Sequence, residues 1–157
     1  ELLLERKDAI QKTASSAREI SHDLLPPSLD TLGLVKILRR MCKNLNTSDL
    51  NFIFNTDVGT KLSADTELAL FRIVQEMINN TLKHAKASKI TIDFFKKEQG
   101  YAFTYSDNGK GFNVGSTNGL GLRNIESRLQ MIGAEHEFFS EPNNRSGIQI
   151  LLTHNAH

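Results

Sequence analysis

A single cysteine, Cys42, leaves the 157-residue chain without an internal disulfide. The run Arg39-Arg40-Met41-Cys42-Lys43 places no His or Asp beside the thiol to activate it, so Cys42 reads as a small apolar residue on a helix, in a reducing compartment. An excess of one charge is also lacking. Nineteen Lys and Arg stand against 18 Asp and Glu, a formal net charge of +1, with no long basic block, which argues against nucleic acid as a partner. No stretch approaches the roughly 20 consecutive apolar residues of a transmembrane helix. Glu1-Leu2-Leu3-Leu4-Glu5 lacks the cationic start and long apolar run of a signal peptide. The histidines His22, His84, His136, His154 and His157 have no Cys or acidic residue at metal-ligand spacing, so no histidine-built metal site is expected.

What is present, 39% hydrophobic and 24% charged residues, is the composition of a globular domain. A domain of this length removes roughly 70% of its unfolded surface from water. One core with a helical appendage is expected. The start at Glu1 rather than Met, inside an apparent helix, suggests a piece of a longer protein.

From Leu2 to Leu25 there is no Pro or Gly, and Leu3, Ile10, Ala17 and Leu24 recur at heptad spacing, which predicts one long amphipathic helix. Its apolar seam needs a partner, and its length favours a hairpin or dimer bundle over packing on a small domain. Pro26-Pro27 is expected to end it. Leu34 to Leu45 resumes the helical period, with Leu34, Ile37, Leu38, Met41 and Leu45 on one face. Leu50 to Thr56 reads as a strand. Ser63 caps a helix running to about Ala85, with Leu68, Phe71, Val74, Ile78 and Leu82 toward a core. Lys89 to Lys97 and Tyr101 to Ser106 form a hairpin, and Glu137 to Ser140 and Ile148 to Thr153 a second. Between them lie a glycine-rich loop, Asp107 to Gly121, and a helix from Leu122 to Ile132 closed by Gly133. Paired strands separated by helices predict an α+β two-layer domain rather than a doubly wound one.

Chemistry concentrates in three places. Glu76, Asn80, Lys83 and His84, at offsets of four, seven and eight, share one stripe opposite the apolar side of their helix. Solvation alone accounts for many such faces, but Asn79-Asn80 is a poor helical pair, and an amide oxygen is a hard ligand suited to Mg²⁺ beside phosphates. Asp107-Asn108-Gly109-Lys110-Gly111-Phe112 follows a strand, and Asn118-Gly119-Leu120-Gly121-Leu122 opens a helix. Glycines admit a ligand close to the backbone, and helix N-termini bind anions. Neither a Rossmann fingerprint nor a Walker motif is present.

These motifs together resemble the GHKL ATPases, the superfamily of DNA gyrase, the heat-shock chaperone, histidine kinases and MutL. Glu76 to Ala85 is similar to the N box, Asp107 to Phe112 to the first glycine box, and Gly119 to Leu122 to the second. Ile20-Ser21-His22-Asp23-Leu24-Leu25-Pro26-Pro27-Ser28-Leu29-Asp30 resembles the segment that leads from the second dimerisation helix into the catalytic domain in sensor histidine kinases of the NarX, DesK and LiaS type.

The resemblance implies a Bergerat-type fold: a two-layer α+β sandwich whose mixed, mostly antiparallel sheet carries helices on one face. Residues 1–27 would be part of the dimerisation hairpin and 28–157 the ATP-binding catalytic domain. It implies Glu76 as the residue that positions or polarises the attacking nucleophile, and Asn80 as the Mg²⁺ ligand on ATP. Lys83 and His84 would face the phosphates, Asp107 would accept from the adenine amino group, and Gly109, Lys110, Gly111 and Phe112 would border the base. Gly119, Leu120, Gly121 and Leu122 would cradle phosphates. Asn113 to Asn118 would be a short lid. Relatives commonly carry Gly-Thr where this chain has Gly147-Ile148, so a threonine contact near adenine is missing, with Ser146 as a possible substitute.

His22-Asp23 is similar to a phosphoacceptor pair, but Pro26-Pro27 follows too soon for the acceptor helix. The acceptor is expected upstream of Glu1, so that this chain binds Mg-ATP without phosphorylating itself. The implied partners are a second copy, through the dimerisation helices, and a response regulator. Cytoplasmic placement is implied, with any membrane attachment outside this chain. An anti-sigma-type serine kinase or a non-catalytic ATP-sensing or protein-binding module are the alternatives.

Overall fold

The structure, a computed structural model, describes residues 26–115 and 121–154. The expected long N-terminal helix, His22, Gly119 and Leu120 lie outside the described residues. The sheet consists of β1 (Asn51–Thr56), β2 (Lys89–Lys97), β3 (Gly100–Asp107), β4 (Glu135–Glu141) and β5 (Arg145–Thr153), in the order β1-β2-β3-β5-β4. β1 pairs with β2 in parallel and every other pairing is antiparallel. This is the mixed, mostly antiparallel sheet expected. β4 and β5 begin at Glu135 and Arg145, earlier than the predicted Glu137 and Ile148. Glu135, His136 and Glu137 are all exposed on an edge strand, so no alternation of apolar and polar residues reveals them.

The helices are α1 (Pro26–Leu32), α2 (Leu34–Leu45), α3 (Ala64–Asn80) and α4 (Leu122–Met131). Pro26 and Pro27 open α1, while the helix they are expected to end lies outside the described residues. Proline fits a first helical turn because that N–H has no intrahelical acceptor. Gly33, at φ +83°, turns the chain from α1 into α2. Gly33 gives α2 no side-chain cap. The buried Glu67 carboxylate takes that place, accepting from the Leu34 N–H at 3.3 Å and the Leu62 N–H at 3.4 Å. Leu34, Ile37, Leu38, Met41 and Cys42 line the buried face of α2, while Leu45 is half-buried.

Ser63 caps α3 by accepting from the Thr66 N–H at 3.2 Å, as predicted. The helical run does reach Ala85, but from Thr81 it widens into a π-helical turn, ended by Lys86 at φ +50°. The wider turn rotates side chains relative to the α-helical phase. Thr81 is therefore buried, and Leu82, expected in the core, is exposed. Gly133, at φ +66°, follows the end of α4.

Phe71, Val74 and Ile78 of α3 and Ile125 and Leu129 of α4 pack on Ile90, Ile92, Phe103, Ile148 and Ile150 of the sheet. Each buried aliphatic or Phe side chain contributes roughly 1.5–3 kcal/mol. The opposite sheet face carries Lys89, Thr91 and Asp93, which border an open polar cleft with Arg145. The helices thus cover one face and bring the end of α3 against the end of β3.

Candidate active site

Asp107 is the last residue of β3 and is buried below the π-helical turn. Its Oδ1 accepts from the Gly109 N–H at 2.9 Å, and its Oδ2 from the Thr81 hydroxyl at 2.8 Å. A carboxylate offers about four lone-pair sites, so acceptor capacity remains after these two bonds. Asp107 lines a cleft with Asn80, Thr81 and His84 on one wall and Gly111 and Phe112 on the other, and Met77, Ala85 and Leu122 add apolar surface. The cleft volume is about 30 Å³. That is room for a few water molecules, less than a purine fills.

The first glycine box is docked on the end of the N-box helix. The Lys110 N–H donates to the Ala85 carbonyl at 2.8 Å, and a Cβ on Gly109 would stand 2.3 Å from that same oxygen. Gly109 is therefore required by the approach of Ala85, before any ligand is considered. Gly111 has φ +79°, and a Cβ there would stand 2.5 Å from Ser140 Oγ, which accepts from the Phe112 N–H at 2.9 Å. Phe112 meets Phe138 edge-on at 6.4 Å between ring centroids. At the other end of the site, Gly121 has φ +69° and opens α4 against the half-buried Glu76. Leu122 is buried at that junction.

Asn80, His84, Asp107, Gly111, Phe112 and Leu122 thus share the cleft, and Glu76 and Gly121 adjoin each other. Lys83 is exposed and not among the cleft-lining residues, and Lys110 enters the site through its backbone while its side chain is exposed. Ile148 is in the core, opposite Tyr105. Ser146 is opposite Asp107 in the strand register, but its Oγ pairs with Ser140 Oγ at 3.1 Å. The side-chain hydroxyl on Asp107 comes from Thr81, a residue the sequence reading missed. Tyr105 was missed too: its OH is 2.8 Å from Thr81 Oγ1, and burial pushes its pKa well above the usual tyrosine value. Period-two spacing puts Tyr105 on the same strand face as Asp107, a signal available in the sequence.

The profile of the histidine kinase-, DNA gyrase B-, and HSP90-like ATPases matches residues 65–155, more than half of the chain. The chain belongs to this ATPase family. The match runs from α3 to the end of β5 and contains every residue of the cleft. Sensor histidine kinase MctS of Rhizobium johnstonii is 34% identical over 136 residues, covering 78% of this chain and 28% of that protein. Signal transduction histidine-protein kinase/phosphatase DegS of Brevibacillus brevis is 30% identical over 147 residues, 91% of this chain and 38% of the relative. The chain spans well under half the length of these curated relatives. The fold of this ATPase family member is shared with the histidine kinase domain of the Erythrobacter litoralis EL346 blue-light activated histidine kinase. The TM-score is 0.70 at 19% identity, over 87% of this chain and 73% of that one.

Proposed function

We propose that the chain is the ATP-binding catalytic part of a sensor histidine kinase, which passes the γ-phosphoryl group of ATP to a protein histidine for relay to a response regulator. Dimerisation and a cytoplasmic setting belong to the same reading. One observation carries it: a buried Asp107 carboxylate with residual acceptor capacity, in an apolar-walled cleft between the N-box helix and the first glycine box. The named relatives, sensor histidine kinases, support the kinase class over the other members of the family.

The residues fit ATP and Mg²⁺. Met77, Ala85, Phe112 and Leu122 supply apolar surface for a base, and Asp107 supplies an acceptor for its amino group. Asn80, half-buried on the cleft wall, would hold Mg²⁺, which usually takes few protein ligands and completes its shell with water and phosphate oxygens. Among the described residues no group of three or more His, Cys, Asp or Glu could hold a metal, so the phosphates would have to share in binding it. Lys83 would add positive charge and His84 a ring N–H donor at the exposed side, and the N-terminus of α4 at Gly121 and Leu122 would offer backbone N–H groups to phosphate oxygens. Mg-ATP supplies the activated phosphoryl group and its charge neutralisation. Glu76, next to Gly121, would orient the accepting histidine.

Calorimetric titration with ATP, with and without Mg²⁺, tests the reading. Asp107→Ala is expected to weaken ATP binding about tenfold to a hundredfold under both conditions. Asn80→Ala should remove only the part that depends on Mg²⁺. Unchanged binding in both variants would sink the site.

A further inference from the structure

The strongest unexplained group is the hydroxyl pair Tyr105–Thr81 beneath Asp107. Thr81 Oγ1 has three oxygens within reach: the Met77 carbonyl at 3.0 Å, Tyr105 OH at 2.8 Å and Asp107 Oδ2 at 2.8 Å. Thr81 has one hydroxyl hydrogen, and a carbonyl and a carboxylate can only accept. The Met77 carbonyl already accepts the Thr81 N–H, and a hydrogen bond to a carboxylate is roughly twice as strong as a neutral one, so the hydrogen belongs to Asp107. Thr81 Oγ1 must then accept from Tyr105, whose OH is fully buried and has no second partner among the described residues. The direction of the chain, Tyr105 to Thr81 to Asp107, is thereby fixed. With the Gly109 N–H on Oδ1, each carboxylate oxygen is held from the protein side.

We infer that Tyr105 and Thr81 are positioning residues that set purine selectivity: their ordered hydroxyls hold Asp107 as an acceptor for a 6-amino group and against a 6-oxo group. The inference rests on the ATP reading above. Without the Tyr105 hydrogen, the Thr81 hydroxyl is no longer committed to Asp107 and can turn to the Met77 carbonyl, which frees the carboxylate to rotate away from the line of a 6-amino group. A purely structural hydroxyl pair would affect stability and all nucleotides alike, whereas a positioning pair affects their ratio.

Equilibrium binding of ATP and of ITP, which carries a 6-oxo group in place of the amino group, separates these cases. Wild type should prefer ATP. Tyr105→Phe and Thr81→Val are each expected to lower the ATP-to-ITP affinity ratio by about three- to tenfold. Thr81→Ser, which keeps the hydroxyl, should retain the wild-type ratio. The double variant Tyr105→Phe/Thr81→Val leaves no buried hydroxyl unpaired and should show the same loss of ratio in a folded protein, checked by thermal unfolding. An unchanged ratio in Tyr105→Phe and in the double variant, with Asp107→Asn abolishing the preference, would overturn the inference and leave the site standing. Unchanged ATP binding in Asp107→Asn would overturn the site itself and the inference with it.

Discussion

Glu76 occupies the space that a side chain at Gly121 would need: a Cβ there would stand 2.0 Å from Glu76 Oε1. The N-box carboxylate and the second glycine box are thus fitted to each other, and Gly121 also holds φ +69°, a conformation costly for other residues.

Gly121→Ala therefore combines two penalties that can be separated. The single variant should lose about 1–3 kcal/mol of stability in denaturant titrations, because alanine is strained at this φ and Glu76 has to move. Adding Glu76→Ala relieves the clash and leaves only the φ penalty, about 1 kcal/mol. A double variant no more stable than Gly121→Ala would show that the two side chains do not compete for this space.

Glu67 is a second carboxylate placed by backbone donors, here in the first turn of α3, at the opposite end of that helix from the cleft. Glu67→Ala would leave the Leu34 and Leu62 N–H groups buried without an acceptor, at about 1–3 kcal/mol each. The carboxylate also sits at the N-terminus of α2, where the helix dipole favours negative charge. A clear fall in melting temperature is expected, with ATP affinity per folded molecule unchanged. Unaltered melting would mean that these long hydrogen bonds contribute nothing net.

Much of the scaffold was legible because its cause is local. The helical period along Leu34, Ile37, Leu38 and Met41, the Ser63 cap and Gly133 after α4 each depend on residues a few positions apart. Asp107 was legible for a related reason: an acidic residue ends a strand of aromatic and β-branched residues just where glycines begin. What escaped depends on contacts distant in sequence. The parallel pairing of β1 with β2 joins segments separated by the whole of α3, and no turn signal announces it. The misplacement of Leu82 has the same origin. Its phase depends on a π-helical turn whose Thr81 side chain is drawn to Asp107 and Tyr105. Gly109 and Gly111 were expected to let the backbone pass a base, and the neighbours that demand glycine in the structure are Ala85 and Ser140, inside the protein.

Alkaline pH should reveal the two buried acids beside this network. Burial raises the Cys42 thiol from 9.0 to about 11 and holds the Tyr105 phenol well above 10.0. In both cases the folded state keeps a proton that the unfolded chain releases, so their contribution is complete below the unfolded values and declines as pH rises. Between pH 9 and 11 the Cys42 part of the loss is on the order of 2 kcal/mol. Tyr105 adds to the loss above pH 10, its ordinary value. Urea midpoints measured from pH 7 to pH 11 should fall in wild type from about pH 9. Cys42→Ala should be less stable at pH 7 but lose less between pH 9 and 10, and Tyr105→Phe should flatten the curve only above pH 10. If Cys42→Ala follows the wild-type slope throughout, the thiol ionises as freely in the folded protein as in the unfolded chain, and its burial has no hold on the proton.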